Sequence, residues 1–180
     1  MEPTYRVDLA RVAGGVASYI DISDEFALER LALGEQEYRF AAPPRFDVTI
    51  TDTGDAFVAR GTVSADTLAV CSRCVCDFPL HLEGEVDGFY VRLDQTDELP
   101  QEQEYELIDA EDHIDLANAL IGALSFQIPF VPLHDEQCAG LCPMCGADMN
   151  VEDCSCVPEP DTSNPFAALL ELDLTEKDDG

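Results

Sequence analysis

Five cysteines fall within nineteen residues near the C-terminal end, in the run Cys138-Ala-Gly-Leu-Cys142-Pro-Met-Cys145-Gly146 that continues through Asp148 and Asn150 to Cys154-Ser-Cys156. Two thiolates separated by two residues, with glycine after the second, form a tight knuckle whose backbone amides turn toward the sulfurs while both sulfurs grip one ion. Cys142-Pro-Met-Cys145-Gly146 has that form. Cys138 lies four residues earlier, His134 four before that, and Cys154 and Cys156 follow after a connection long enough for a hairpin. The spacing predicts a structural zinc site closed by four of Cys138, Cys142, Cys145, Cys154, Cys156 and His134, on four thiolates or on three and an imidazole. It leaves the fourth ligand open.

A second pair, Cys71-Ser-Arg-Cys74, has three readings. It is a redox dithiol with Arg73 stabilising a thiolate, a second knuckle that meets Cys142 and Cys145 and bridges the cysteine-rich module to the rest, or a pair of small side chains at a strand corner. A redox Cys-x-x-Cys opens a helix, whose dipole favours the thiolate. Here Val75-Cys76-Asp77-Phe78-Pro79 follows, which reads as turn and strand. A structural role is therefore preferred, with Cys71 and Cys74 as the alternative bridging ligands and the local C-terminal closure as the leading one. A disulfide framework is the competing account of the cysteines. Residues 1–21 lack the basic and continuous apolar stretches of a secretory leader, so a reduced, cytoplasmic chain is the expectation.

Nine Lys and Arg stand against 38 Asp and Glu, a formal net charge of −29. Such a surface repels phosphate backbones and anionic headgroups, and favours solubility and basic partners, ribosomal proteins among them. The longest uncharged run, residues 116–133, contains Asn118, Ser125, Gln127, Pro129 and Pro132. It makes a poor membrane helix and reads as a buried helix followed by a proline-broken strand or loop.

The chain divides into an N-terminal segment (1–42), a β-rich body with a packed helix (43–133), the metal module (134–157) and a linker with a C-terminal helix (158–180). Within the first, Ser23 caps a predicted helix that ends at Gly34, with Phe26, Leu28 and Leu31 on its apolar side. From Phe46 the period is two: a hairpin over 46–63 about the turn at Asp52-Thr53-Gly54-Asp55, another turn at 64–66, then strands over 68–71, 78–83 and 86–93. Residues 94–112 carry nine acidic side chains and no basic one, a solvated connection or an acidic recognition loop. A helix opens at Ile114-Asp115-Leu116 and packs across the sheet. After the linker, Asn164-Pro165-Phe166 starts the last helix. The fold class is α+β: an antiparallel sheet or partly open barrel packed by one or two helices, with a small zinc-type C-terminal module.

No nucleophile elbow, phosphate-cradling Gly-Lys loop or His-Glu-x-x-His helix is present, and His81, His113 and His134 are scattered. The chain is therefore read as not an enzyme, and it shows no small-molecule site. Four pieces in one order, Cys71-Ser-Arg-Cys74, Ile114-Asp115-Leu116, the box at 138–156 with Asn150, and Asn164-Pro-Phe-Ala-Ala-Leu, resemble the YceD family over about residues 45–172. In many relatives a cysteine stands where His134 does here, an exchange that keeps a zinc donor. The resemblance implies a bacterial or plastid-type factor needed for large-subunit ribosomal RNA to be processed or to accumulate. The expected partner is a ribosomal protein or processing factor with a basic surface. A thiol oxidoreductase or sensor using Cys71 and Cys74 is the rival, and a nucleic-acid mimic a third reading.

Overall fold

The computed structural model of the chain describes residues 3–12, 14–34, 36–98 and 104–157. The backbone falls into two compact units, residues 1–138 and 139–180. The expected linker and C-terminal helix lie outside the described residues.

In the first unit the chain runs through β1 (Arg6–Asp8), β2 (Tyr19–Glu25), β3 (Arg30–Leu33), β4 (Gln36–Phe40), β5 (Arg45–Asp52), β6 (Phe57–Val70), β7 (Asp77–Val91), β8 (Glu106–Leu107), β9 (His113–Asp115) and α1 (Ala117–Gln127). The frame is the hairpin of β6 and β7, paired antiparallel without a break from Phe57↔Tyr90 to Val70↔Asp77. Strict alternation holds both strands on one pleat: Val63, Ala65, Thr67 and Ala69 of β6 and Leu82, Gly84, Val86 and Gly88 of β7 are buried, and their neighbours face outward. The turn expected at 64–66 does not form. Ser64 pairs with Glu83 and Asp66 with His81, so the polar residues that suggested a turn occupy the outer face of a continuous strand. For the same reason the expected strands over 78–83 and 86–93 are one.

Along its other edge β6 takes β5 over Phe57–Ser64 and β4 at Thr67 and Leu68, so β4 and β5 lie end to end across Pro43-Pro44. Thr67, buried, donates from Oγ1 to the Arg39 carbonyl at 2.8 Å and stitches β4 in place. The predicted helix at Ser23 is replaced by β2, paired with β5 from Tyr19↔Thr51 to Glu25↔Arg45, and by β3, paired with β4. Helical spacing of Phe26, Leu28 and Leu31 reads equally as residues that drop into the core from strand ends. Tertiary pairing of Ile20 and Ile22 beside β5 outweighs the weak local cap. Residues before 43 thus supply three strands to the main sheet.

The core lies between the sheet and α1, with Phe26, Phe46, Ile50, Leu82, Tyr90, Leu116, Leu120 and Leu124 buried in it. Asp115 fixes the start of α1: its Oδ1 accepts from the amides of Tyr5 at 2.8 Å and Ala117 at 3.0 Å, tying β1 to the helix. Ile114 and Asp115, expected to open the helix, belong with His113 to β9, which pairs with β1, so the helix begins only at Ala117. The sheet is open, and no helix among the described residues is long and apolar enough to cross a membrane.

The β1 and β9 pair carries a local ionic clasp. Asp109 receives the amides of His113 and Glu111 at 2.9 Å and the guanidinium of Arg6. The His113 amide foremost, with Arg6 and the Glu111 amide, outweighs desolvation and holds the Asp109 carboxyl down at about 2. A carboxylate whose folded pKa lies below its unfolded value of about 3.9 stabilises the fold above that value and loses its contribution as pH falls through the folded one. Asp109→Ala is therefore expected to melt below the wild type by a margin constant above pH ~5 and vanishing toward pH ~2, measured as paired melting curves.

Candidate metal centres

The tip of the β6 and β7 hairpin is Cys71-Ser-Arg-Cys74-Val75-Cys76, a knuckle. The Val75 amide donates to the Cys71 carbonyl and the Cys71 amide to the Cys76 carbonyl, both at 2.9 Å. In the second unit the Gly146 amide donates to the Cys142 carbonyl and the Cys142 amide to the Ala147 carbonyl, both at 2.8 Å. The two loops repeat one hydrogen-bond pattern at equivalent positions. The residue after the second cysteine takes a left-handed backbone in each, Gly146 at φ 75° and Val75 at φ 62°.

That conformation suits glycine and strains a β-branched residue. Val75 is 64% exposed, so its side chain contributes little burial. Val75→Gly is expected to stabilise the protein by about 1 kcal/mol, seen as a higher urea midpoint at unchanged slope.

Around the first knuckle the loop that follows α1 delivers His134 and Cys138. The Ser72 amide donates to the Pro132 carbonyl at 2.9 Å. Arg73 donates from Nη1 to the carbonyls of Cys138 at 2.9 Å and Glu136 at 3.1 Å. His134 Nδ1 lies 3.4 Å from the sulfurs of both Cys71 and Cys74, and the Cys71 and Cys138 sulfurs are 3.8 Å apart. Bonds of about 2.3 Å to sulfur and 2.0 Å to nitrogen, arranged tetrahedrally, span edges of about 3.8 and 3.5 Å. The donor set therefore has the dimensions of a four-coordinate divalent site. Leu133 and Phe78 pack against it and Cys71 is 1% exposed.

The second group, Cys142, Cys145, Cys154 and Cys156, gathers four sulfurs within 4.8 Å of one another. Its loop is closed by Asn150, whose Oδ1 accepts from the Ala139 amide at 2.7 Å, and by the Met149 amide donating to the Gly140 carbonyl at 2.9 Å. Gly140, at φ 77°, makes that return possible.

Thiol acidity divides within each group. Burial pushes Cys71 up, yet the His134 side chain and the amides of Cys74, His134 and Arg73 bring it down to about 5. The amides of Cys145 and Met144 bring Cys142 down to about 6. Cys156 is pushed up to about 12, first by the Cys145 thiol beside it and then by burial. Sulfurs this close ionise together only around a cation, so both groups are suited to hold a metal ion.

Four of the six donors near the box were expected to close one site, with Cys71 and Cys74 as the alternative ligands bridging to Cys142 and Cys145. The structure divides them otherwise: Cys71, Cys74, His134 and Cys138 form one group, and Cys142, Cys145, Cys154 and Cys156 another. Cys138 and His134 are near the box in sequence but are carried to the hairpin tip by the loop after α1. Seven of the eight cysteines are thereby placed, and Cys76 stands outside both groups with its sulfur 3.1 Å from that of Cys74. A third cluster, Asp109, Glu111 and His113, is occupied by Arg6. The signal for the division was in the sequence, since Cys71-x-x-Cys74 and His134-x-x-x-Cys138 are each half of a zinc-ligand set.

A family model described as "Large ribosomal RNA subunit accumulation protein YceD" matches residues 59–173, a stretch that contains both groups. The chain belongs to the YceD family. That description names an accumulation role and no reaction. Among curated relatives, the uncharacterized protein Rv2926c of Mycobacterium tuberculosis is 26% identical over 153 residues, 81% of this chain and 71% of its own length. The uncharacterized protein ML1660 of Mycobacterium leprae is 25% identical over 126 residues, covering 70% and 58%. No solved structure matches the chain.

Proposed function

We propose that this YceD-family protein is a non-enzymatic cytoplasmic factor that supports the processing and accumulation of large-subunit ribosomal RNA. It acts by binding a basic ribosomal protein or processing factor through its acidic surface, and two zinc ions close its two cysteine groups. The observation that carries the reading, beside membership of the family, is that each group brings four zinc-type donors within 4.8 Å of one another, three sulfurs and an imidazole nitrogen in one and four sulfurs in the other. Four protein ligands leave no open position for water or substrate, which is the arrangement of a structural rather than a catalytic zinc. Nine basic against 38 acidic residues disfavour an extended RNA contact and favour a basic protein.

Depletion of the protein in its own cells is expected to lower large-subunit relative to small-subunit ribosomal RNA, with restoration by the wild-type chain. Unchanged ribosomal RNA would sink the reading. The low pKa of Cys71 favours a second reading, a thiol redox protein, against which stands the burial of that sulfur. Cys74→His separates them, because it removes the dithiol and keeps a zinc donor. The structural reading expects restored ribosomal RNA, the redox reading none.

A further inference from the structure

The edge of β7 that faces away from β6 is paired only at Tyr90 and Val91, where β8 runs parallel to it; among the described residues no strand covers its span from Asp77 to Phe89. A groove of about 690 Å³ lies between this edge and α1, and a second, adjoining hollow shares Glu85, Ala123 and Phe126 with it. Together they follow β7 from Glu83 to Phe89. The wall contributed by α1 is low, with Ala119, Gly122 and Ala123 on it, and Phe126 stands at its end 90% exposed.

The charge of this groove has one sign. Glu83, Glu85 and Asp87 line it from β7 and Glu104 and Glu106 from the acidic connection, and no Lys or Arg is among the lining residues. Arg60 of β6 reaches Asp87 at 3.6 Å from the neighbouring strand, with both side chains open to solvent. The chain's own C-terminal stretch, residues 158–180, has seven acidic residues and one basic, so charge opposes its seating there. The same charge opposes nucleic acid. An incoming strand has the opposite requirements. Along an exposed edge its main chain supplies hydrogen bonds, and its side chains alternate between the two faces of the sheet. On the outer face they meet Glu83, Glu85 and Asp87, and on the inner face they meet the small residues of α1 and Phe126.

We propose that the groove between β7 and α1 seats an extended basic segment of a protein partner. The segment adds as a strand to the free edge of β7, with Lys or Arg at alternate positions and apolar residues between. This rests on the reading that the protein works through a basic partner, and specifies where and how.

The probe is a pool of ten-residue peptides with Lys or Arg at alternate positions and Val, Leu or Tyr between, added to the full metal-loaded chain and followed by fluorescence anisotropy and amide hydrogen exchange. Saturable binding is expected, with new protection confined to the outer edge of β7. Glu85→Lys with Asp87→Lys is expected to weaken it at least about tenfold, and Phe126→Ala to weaken it separately, both at unchanged metal content and circular dichroism. Asp55→Lys, an exposed change elsewhere, is expected to leave it alone. Absence of binding overturns the proposal. So does equal binding of a block peptide of the same composition or of one interrupted by proline, equal loss on Asp55→Lys, or displacement by an RNA oligonucleotide. Peptide binding lost in the charge-reversed variant while ribosomal RNA remains normal would sink the groove and leave the family role standing. Normal peptide binding in a protein whose depletion leaves ribosomal RNA unchanged would do the reverse.

Discussion

Two zinc ions per chain are expected in protein purified without chelator, one lost on changing Cys71 and Cys74 to Ser and the other on changing Cys142 and Cys145 to Ser. The two losses differ in consequence. Cys71 and Cys74 sit at the tip of the long hairpin, while His134 and Cys138 sit on the loop after α1, more than fifty residues away in sequence. A metal there closes a long loop and holds the end of the helix against the sheet. Structural zinc binds with about 10–16 kcal/mol of apparent free energy in small fingers. Here only part of that becomes stability, because the sheet folds on its own core. A loss of about 5 kcal/mol, or roughly 10–20 °C in melting temperature, is expected for the Cys71 and Cys74 change. Loss of Cys142 and Cys145 is expected to leave the melting of residues 1–138 almost unchanged and to remove hydrogen-exchange protection from residues 139–157. Metal content and scanning calorimetry read both. A single ion that survives either double change, or a melting temperature indifferent to Cys71 and Cys74, would contradict the division into two centres.

Gly84→Ala is expected to destabilise the protein by about 3 kcal/mol, although alanine is the better strand residue. A Cβ at Gly84 would lie 2.3 Å from the carbonyl oxygen of Ala123 and 2.7 Å from its carbon, atoms of the α1 backbone that cannot rotate away. Helix and sheet must then separate, and Leu120 and Leu124 lose contact with the core below them. Gly122 is the control on the same helix. Nothing lies within 4 Å of its added Cβ, so Gly122→Ala relieves a helix interior of glycine and is expected to stabilise by up to about 1 kcal/mol. Urea denaturation of the pair gives opposite signs. The same sign for both would mean that α1 does not approach β7 as closely as the backbone contact requires.

The parts of this protein readable from its residues are those settled within a few positions. The knuckle at Cys142 follows from the pair, its spacing and the glycine after it; the hairpin about Asp52-Thr53-Gly54-Asp55 follows from alternation on either side of a turn. The existence of α1 follows from the apolar stripe after Asp115, although the helix starts at Ala117 and Asp115 itself closes β9. Where local signals competed with pairing, pairing prevailed. Ser23 has the chemistry of a cap, yet Ile22 is buried and Ile20 half-buried beside β5 and the segment is extended. Ser64 and Asp66 have the chemistry of a turn, yet the outer face of a sheet accepts them as well. Val75 shows the same rule at one residue, holding a left-handed backbone that its own side chain disfavours because the knuckle around it demands one.

Composition, short spacing and alternation were enough to read a cysteine-rich element with metal-ligand spacing, a β-rich body ahead of it and a large excess of acidic side chains. Which donors meet depends on packing between distant segments. Cys138 is nearer in sequence to Cys142 than to Cys71, but the chain between α1 and Cys138 is anchored to the hairpin tip by the Ser72 amide and by Arg73. Distance along the chain sets the entropic cost of bringing ligands together. Sheet, helix and ligands share that cost, because the same packing that holds the loop at the hairpin tip holds the donors there.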